Sequence, residues 1–157
     1  MVASWLRREE RKEEKIVPSA NVLVAVAGND MDDDLVRMAC RLSKKNKGHV
    51  IVINVREIPR TLPLNTVYEE SASERVLDHA MSIAHDQGVE IEAEVVQARE
   101  AGPAIVDEAC ERHCELILLG LVPRSRFGQF DLGKTVPYVL QHAKGRVWVV
   151  RDECSIC

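Results

Sequence analysis

Aromatic residues are scarce in this 157-residue chain: two Trp, two Tyr and two Phe, 4% in all. A core built almost without them must come from Val, Ile, Leu and Ala, and the 46% hydrophobic content is enough for a globular protein. No apolar run approaches the roughly 20 residues that a membrane-crossing helix needs, so no direct membrane span is expected. An apolar signal core is missing as well, because residues 1–15 (MVASWLRREERKEEK) turn charged almost at once. Five cysteines make an odd number without framework spacing, which points to a reducing cytoplasm. The net charge of -4 lacks the basic excess of a general nucleic-acid binder, and no nucleic-acid partner is expected. There is no internal repeat and no nameable Ser/His/Asp or Cys/His arrangement, so an ordinary hydrolase or transferase is not expected.

Strand and helix patterns alternate through the rest. Residues 21–27 (NVLVAVA) form a short apolar run suited to a strand buried on both faces. After the Gly28-Asn29-Asp30 turn, Asp30, Asp32, Asp33 and Asp34 crowd the start of a helix whose stripe is Leu35, Met38, Ala39 and Leu42. Lys44, Lys45 and Lys47 sit in its last turns, complementing the helix dipole, and Gly48 is expected to stop it. Residues 49–55 (HVIVINV) read as a second buried strand, followed by a connection punctuated by Pro59 and Pro63. A helix over 70–87 ends at Gly88. Residues 89–98 (VEIEAEVVQA) alternate apolar and acidic side chains, the pattern of an edge strand with one wet face. A helix over 101–113, a strand over 116–119, a helix over 133–143 and a strand over 146–150 complete the chain. This β-α alternation predicts an α/β domain: one five-stranded parallel sheet, order 3-2-1-4-5, with helices on both faces. The domain is expected over 19–151. A charged helix or linker precedes it at 1–18, and a disordered tail follows at 152–157.

In open parallel sheets, ligands bind beyond the carboxyl ends of the strands where chain order reverses. Strands one and four would flank that crevice, and both run into glycine, Gly28 and Gly120. A basic, flexible loop with Arg124, Arg126 and Gly128 then leads to Gly133, with Lys134 and Thr135 in the first turn of the next helix. Helix N–H groups, the Thr135 hydroxyl and these cations could cradle phosphate. A solvated basic loop with ordinary glycine turns reads equally well from composition. Residues 128–135 formally satisfy the spacing of a P-loop, but its context fails, because a P-loop follows its strand directly.

From 21 to 151 the chain resembles a universal stress protein (UspA-like) domain, a fold of the adenine nucleotide alpha hydrolase-like, Rossmann-like type. The nucleotide-binding branch of that family carries Gly, two residues, Gly, nine residues, then Gly-Ser or Gly-Thr. Gly120 and Gly133 keep the outer spacing, whereas Pro123 replaces the middle glycine and Lys134 the hydroxyl residue, leaving Thr135 one place late. Ala27 stands where the family's first strand usually ends in an Asp that contacts the nucleotide. The resemblance implies a regulatory, stress-response domain binding an adenine nucleotide (ATP, AMP or a cyclic nucleotide), with Mg²⁺ only if ATP is bound and weak ATPase activity at most. The adenine pocket it implies is lined by Ala25, Ala27 and Val55 and closed by Leu119 and Gly120. The altered motif implies an ATP-binding site that is degenerate, and the extra cations suit a ligand rich in phosphate or a cyclic dinucleotide. The alternative is a dimeric interaction module that has lost the nucleotide.

Family members commonly form homodimers through the last strand, here the apolar Val147, Trp148, Val149 and Val150. They also occur fused to transporters, and a charged segment carrying Trp5 and Leu6 before Pro18-Ser19 resembles such a junction. A transporter or signalling partner is therefore expected beside the homodimer. The remaining candidates read as structural. Capping explains the Asp30–Asp34 cluster better than a metal does. Cys110 and Cys114 read as small buried residues on one helix face, His79 and His85 have no partner acid nearby in sequence, and the Cys154/Cys157 pair sits at a chain end without a second ligand pair.

Overall fold

A computed structural model describes residues 21–68, 72–122 and 124–151, with backbone alone at 124–126. The expected segment at 1–18, the tail at 152–157 and Pro123 lie outside the described residues. The elements are β1 (Val22–Ala25), α1 (Met31–Asn46), β2 (Val50–Glu57), α2 (Ala72–Asp86), β3 (Ile91–Ala98) and α3 (Ala101–Glu111), then β4 (Leu116–Leu121), β5 (Arg124–Arg126), β6 (Gln129–Asp131), α4 (Thr135–His142) and β7 (Arg146–Arg151).

Five strands form one sheet in the order β3-β2-β1-β4-β7, all neighbours parallel. With β7 counted as the fifth strand of the sheet, this is the expected 3-2-1-4-5 arrangement. Side-chain alternation sorts the core into two layers. Val22, Val24, Val50, Val52, Leu116 and Leu118 face α1 and α2, while Leu23, Ile51, Ile53, Ile117 and Leu119 face α3 and α4. No aromatic side chain is among the buried residues of the described core, which is filled by Val, Leu, Ile, Ala, Met and Cys.

Three local expectations change. First, the chain between Gly120 and Gly133 is not a flexible loop: β5 and β6 pair as an antiparallel hairpin, Arg126 opposite Gln129. Phe127 and Gly128 turn it with φ of 54° and 74°, the two positive values that a tight hairpin turn of the right twist demands. Second, Lys47 rather than Gly48 takes the left-handed conformation after α1, at φ 53°, and the Ser43 hydroxyl donates to the Gly48 carbonyl at 2.6 Å. Third, α3 ends at Glu111, so Cys110 and Cys114 do not share one helix face; Cys110 is exposed and Cys114 half-buried.

Both sheet edges follow the sequence pattern. On β3 the acids Glu92 and Glu94 meet Arg112, which also donates through Nε to Glu108 at 2.9 Å. That hydrogen bond, ahead of the nearby carboxylate charges, pushes the Arg112 guanidinium further up. β7 pairs only with β4 among the described strands, leaving its other edge unpaired, with Trp148 partly exposed.

Candidate functional site

The parallel strands aim their carboxyl ends at one side of the sheet, and chain order reverses between β1 and β4. Three of the residues implied for a base pocket meet there. Ala25 and Val55 are half-buried and pack on the same cluster as buried Leu119, on the layer of α3 and α4. Gly120 belongs to the opposite layer: a Cβ on it would lie 3.2 Å from Leu35 Cδ1 and 3.7 Å from Met31 Cβ. Its missing side chain admits α1. Ala27 is exposed beyond β1.

The turn leaving β1 is built on Asp32. This side chain is only 7% exposed, and its carboxylate accepts the N–H groups of Ala27 (3.2 Å), Gly28 (2.6 Å) and Asn29 (3.0 Å). A buried carboxylate is tolerated because charge-assisted hydrogen bonds replace its water. The Asn29 side chain then accepts the Met31 N–H at 3.1 Å as α1 begins. Asn54, buried in β2, donates to the Val26 carbonyl at 2.8 Å and ties the end of β1 to its neighbour. The acidic cluster therefore disperses. Asp32 holds backbone, Asp33 pairs with His79 of α2 at 3.0 Å, and Asp34 pairs with Arg37 at 3.4 Å. Asp33 and His79 also line a cavity of about 620 Å³ between α1 and α2, together with Val36, Val76, Ala80 and Ile83. That cavity lies on the other layer from Ala25, Val55 and Leu119.

On the far side of the crevice, Gly128 serves the hairpin turn. Gly133 has φ of 67° with open space where a Cβ would stand, and a residue so twisted cannot start a helix; α4 begins at Thr135, two places later than expected. The Gly133 N–H donates to the Asp131 carboxylate at 2.9 Å, a local turn that an Asp two residues ahead of a glycine favours. Lys134 is the N-cap residue of α4, and its side chain makes no cap hydrogen bond. Its ammonium lies 4.0 Å from Glu57, the last residue of β2, with the lysine side chain 71% exposed. Glu57 also accepts the Ala101 N–H at 2.9 Å and so caps α3. Thr135 is half-buried in the first turn of α4. The backbone puts Arg124 and Arg126 on β5; their side chains lie outside what is described.

Asp32, Asn54, Glu57 and Asp131 were not singled out from the sequence for these roles. A signal existed for three of them: Asn54 interrupts an apolar run, Glu57 follows the last apolar residue of a strand by two, and Asp131 precedes a glycine by two.

The profile of the Universal stress protein family matches residues 19–151. A search of curated protein sequences returns no match. Among solved structures, a universal stress protein from Archaeoglobus fulgidus in complex with dAMP superposes with a TM-score of 0.66 at 22% identity, covering 83% of this chain and 96% of that one. A universal stress protein in complex with cAMP gives 0.66 at 21% identity, over 85% of this chain and 97% of that one. A family member from Arabidopsis thaliana with AMP bound gives 0.59 at 13% identity, over 86% and 93%. With the strand order, the two helical layers and the Gly120-to-Gly133 frame in place, the match over residues 19–151 settles the family: this chain is a member of the universal stress protein family.

Proposed function

We propose that the chain is a regulatory, stress-responsive domain that binds an adenine nucleotide at the carboxyl ends of β1, β2 and β4 and relays its occupancy to a partner. One observation carries the reading. Lys134, the N-cap residue at the entrance to α4, makes no side-chain cap hydrogen bond to the first turn. Uncapped N–H groups at a helix N-terminus beside a cation form an anion-binding arrangement, suited to the phosphate of a nucleotide. The base would rest on Ala25, Val55 and Leu119, and the Thr135 hydroxyl would reach the phosphate. The dAMP, cAMP and AMP held by the related structures support an adenine nucleotide as the ligand class. Mg²⁺ would enter only with ATP, and turnover would be slow at most.

The partner side of the proposal is a second copy of the chain pairing along the open edge of β7, through Val147, Trp148, Val149 and Val150, in the cytoplasm. A transporter or signalling protein would read the dimer. No described helix is long and apolar enough to cross a membrane.

Mass spectrometry of small molecules released from purified, denatured protein should recover an adenine nucleotide, and Lys134→Ala should weaken its binding about tenfold in calorimetry, the share of one charge-assisted contact. If no adenine nucleotide, cyclic ones included, binds below millimolar concentration, the reading fails. A second reading, an interaction module without nucleotide, is favoured by one feature: Glu57 and Asp131 already partner Lys134 and the Gly133 N–H.

A further inference from the structure

Several donors around the crevice are answered by the chain's own carboxylates. Asp32 takes three N–H groups beyond β1, Asp131 takes the N–H of Gly133, and Glu57 takes the first N–H of α3 while facing Lys134 across the crevice. Arg99, the residue after β3, is anchored through its Nη1 to the carbonyls of Ile58 (3.2 Å), Pro59 (2.5 Å) and Leu62 (2.9 Å). A nucleotide phosphate seated on the first turn of α4 would therefore share Lys134 with Glu57 and lie next to Asp131. One negative charge can be accommodated by the open N–H groups and the lysine. Each further phosphate adds charge beside two carboxylates, and like charges repel.

We infer that Glu57, seconded by Asp131, sets the ligand class of this site: adenine nucleotides carrying a single phosphate, cyclic or open, and not ATP. The inference rests on the proposed nucleotide site and narrows it. It also narrows what the extra cations suggest in the sequence alone, because Lys134, the cation whose side chain is described, has an acid opposite it. Glu57 acts as a specificity-determining residue by charge. Its hydrogen bond to Ala101 needs only an oxygen, which glutamine would also provide.

The test is calorimetry with cAMP, AMP and ATP, with and without Mg²⁺, on the wild-type chain and on Glu57→Gln and Asp131→Asn. Each substitution keeps an acceptor for its N–H donor and removes one charge. Wild type should bind cAMP and AMP more tightly than ATP. Glu57→Gln should raise ATP affinity relative to cAMP about tenfold, equivalent to about 1.4 kcal/mol, and Asp131→Asn should raise it in the same direction by less. If Glu57→Gln fails to fold, as judged by its thermal transition, the half-buried Asp131→Asn carries the comparison alone. An unchanged ATP-to-cAMP ratio in the folded variants, or a wild type that already prefers ATP, overturns the inference while leaving the nucleotide site standing. A wild type that binds none of the three overturns the site and the inference together.

Discussion

Replacing Asp32 with alanine should be the most costly single change near the crevice that leaves the hydrophobic core intact. The carboxylate is 7% exposed and serves three backbone donors, two of them at 3.0 Å or less. A hydrogen bond to a charged group contributes about 1.5–3 kcal/mol, but the three bonds share one carboxylate and do not add. Ala27 and Gly28 are exposed, so water can take over part of what the carboxylate held. The expected loss is about 2–3 kcal/mol, or a fall of about 6–9 °C in Tm at roughly 3 °C per kcal/mol for a chain of this size. Asparagine at the same position should fall between, at about 1–2 kcal/mol: one amide oxygen can keep the Gly28 and Asn29 bonds while its NH2 group faces the Ala27 donor. Urea denaturation followed by far-UV circular dichroism measures both variants. An Asp32→Ala midpoint within about 0.5 kcal/mol of wild type would refute the assignment of Asp32 as the organiser of this turn.

Two further outcomes follow from the same geometry. At Gly145 a Cβ would stand 2.8 Å from the Glu115 carbonyl and 3.1 Å from that of Cys114, both backbone atoms, where β7 begins to pair with β4. Gly145→Ala should therefore cost about 2–3 kcal/mol in the same urea assay, the penalty of overpacking against atoms that cannot turn aside. Burial, ahead of the opposing Arg112 charge, pushes the Cys114 thiol up to about 11, and burial likewise raises Cys40. At pH 8 about one Cys114 in a thousand would be thiolate, so iodoacetamide should label exposed Cys110 first, with Cys114 labelling rising about tenfold per pH unit toward 11. Arg112 lets trypsin separate the two cysteines for peptide mapping.

The sequence made the architecture legible because each element carries its own period. The Val-rich runs suit buried strands, the acid–apolar alternation of 89–98 suits an edge strand with one wet face, and the stripes of α1 and α2 have the helical repeat. Chirality and the parallel connections then leave few topologies, and the observed order is among them. The hairpin of β5 and β6 was not legible. Its strands are three residues each, too short to show a period, and its turn is a Phe-Gly pair in place of the Asn-Gly that usually marks one. His79 was likewise read without a partner acid, since Asp33 belongs to another helix.

What the sequence determined by itself was therefore the sheet, its two helical layers and the Gly120-to-Gly133 frame, all set by local backbone preference and by which faces must leave water. The tertiary structure alone decided the electrostatics of the crevice. Glu57, Asp131 and Lys134 read as unrelated charges along the chain, yet folding sets Glu57 4.0 Å from Lys134 and seats Asp131 on the Gly133 N–H. Charge acts through space, and no periodicity along the chain encodes which acid the parallel sheet will carry opposite which base.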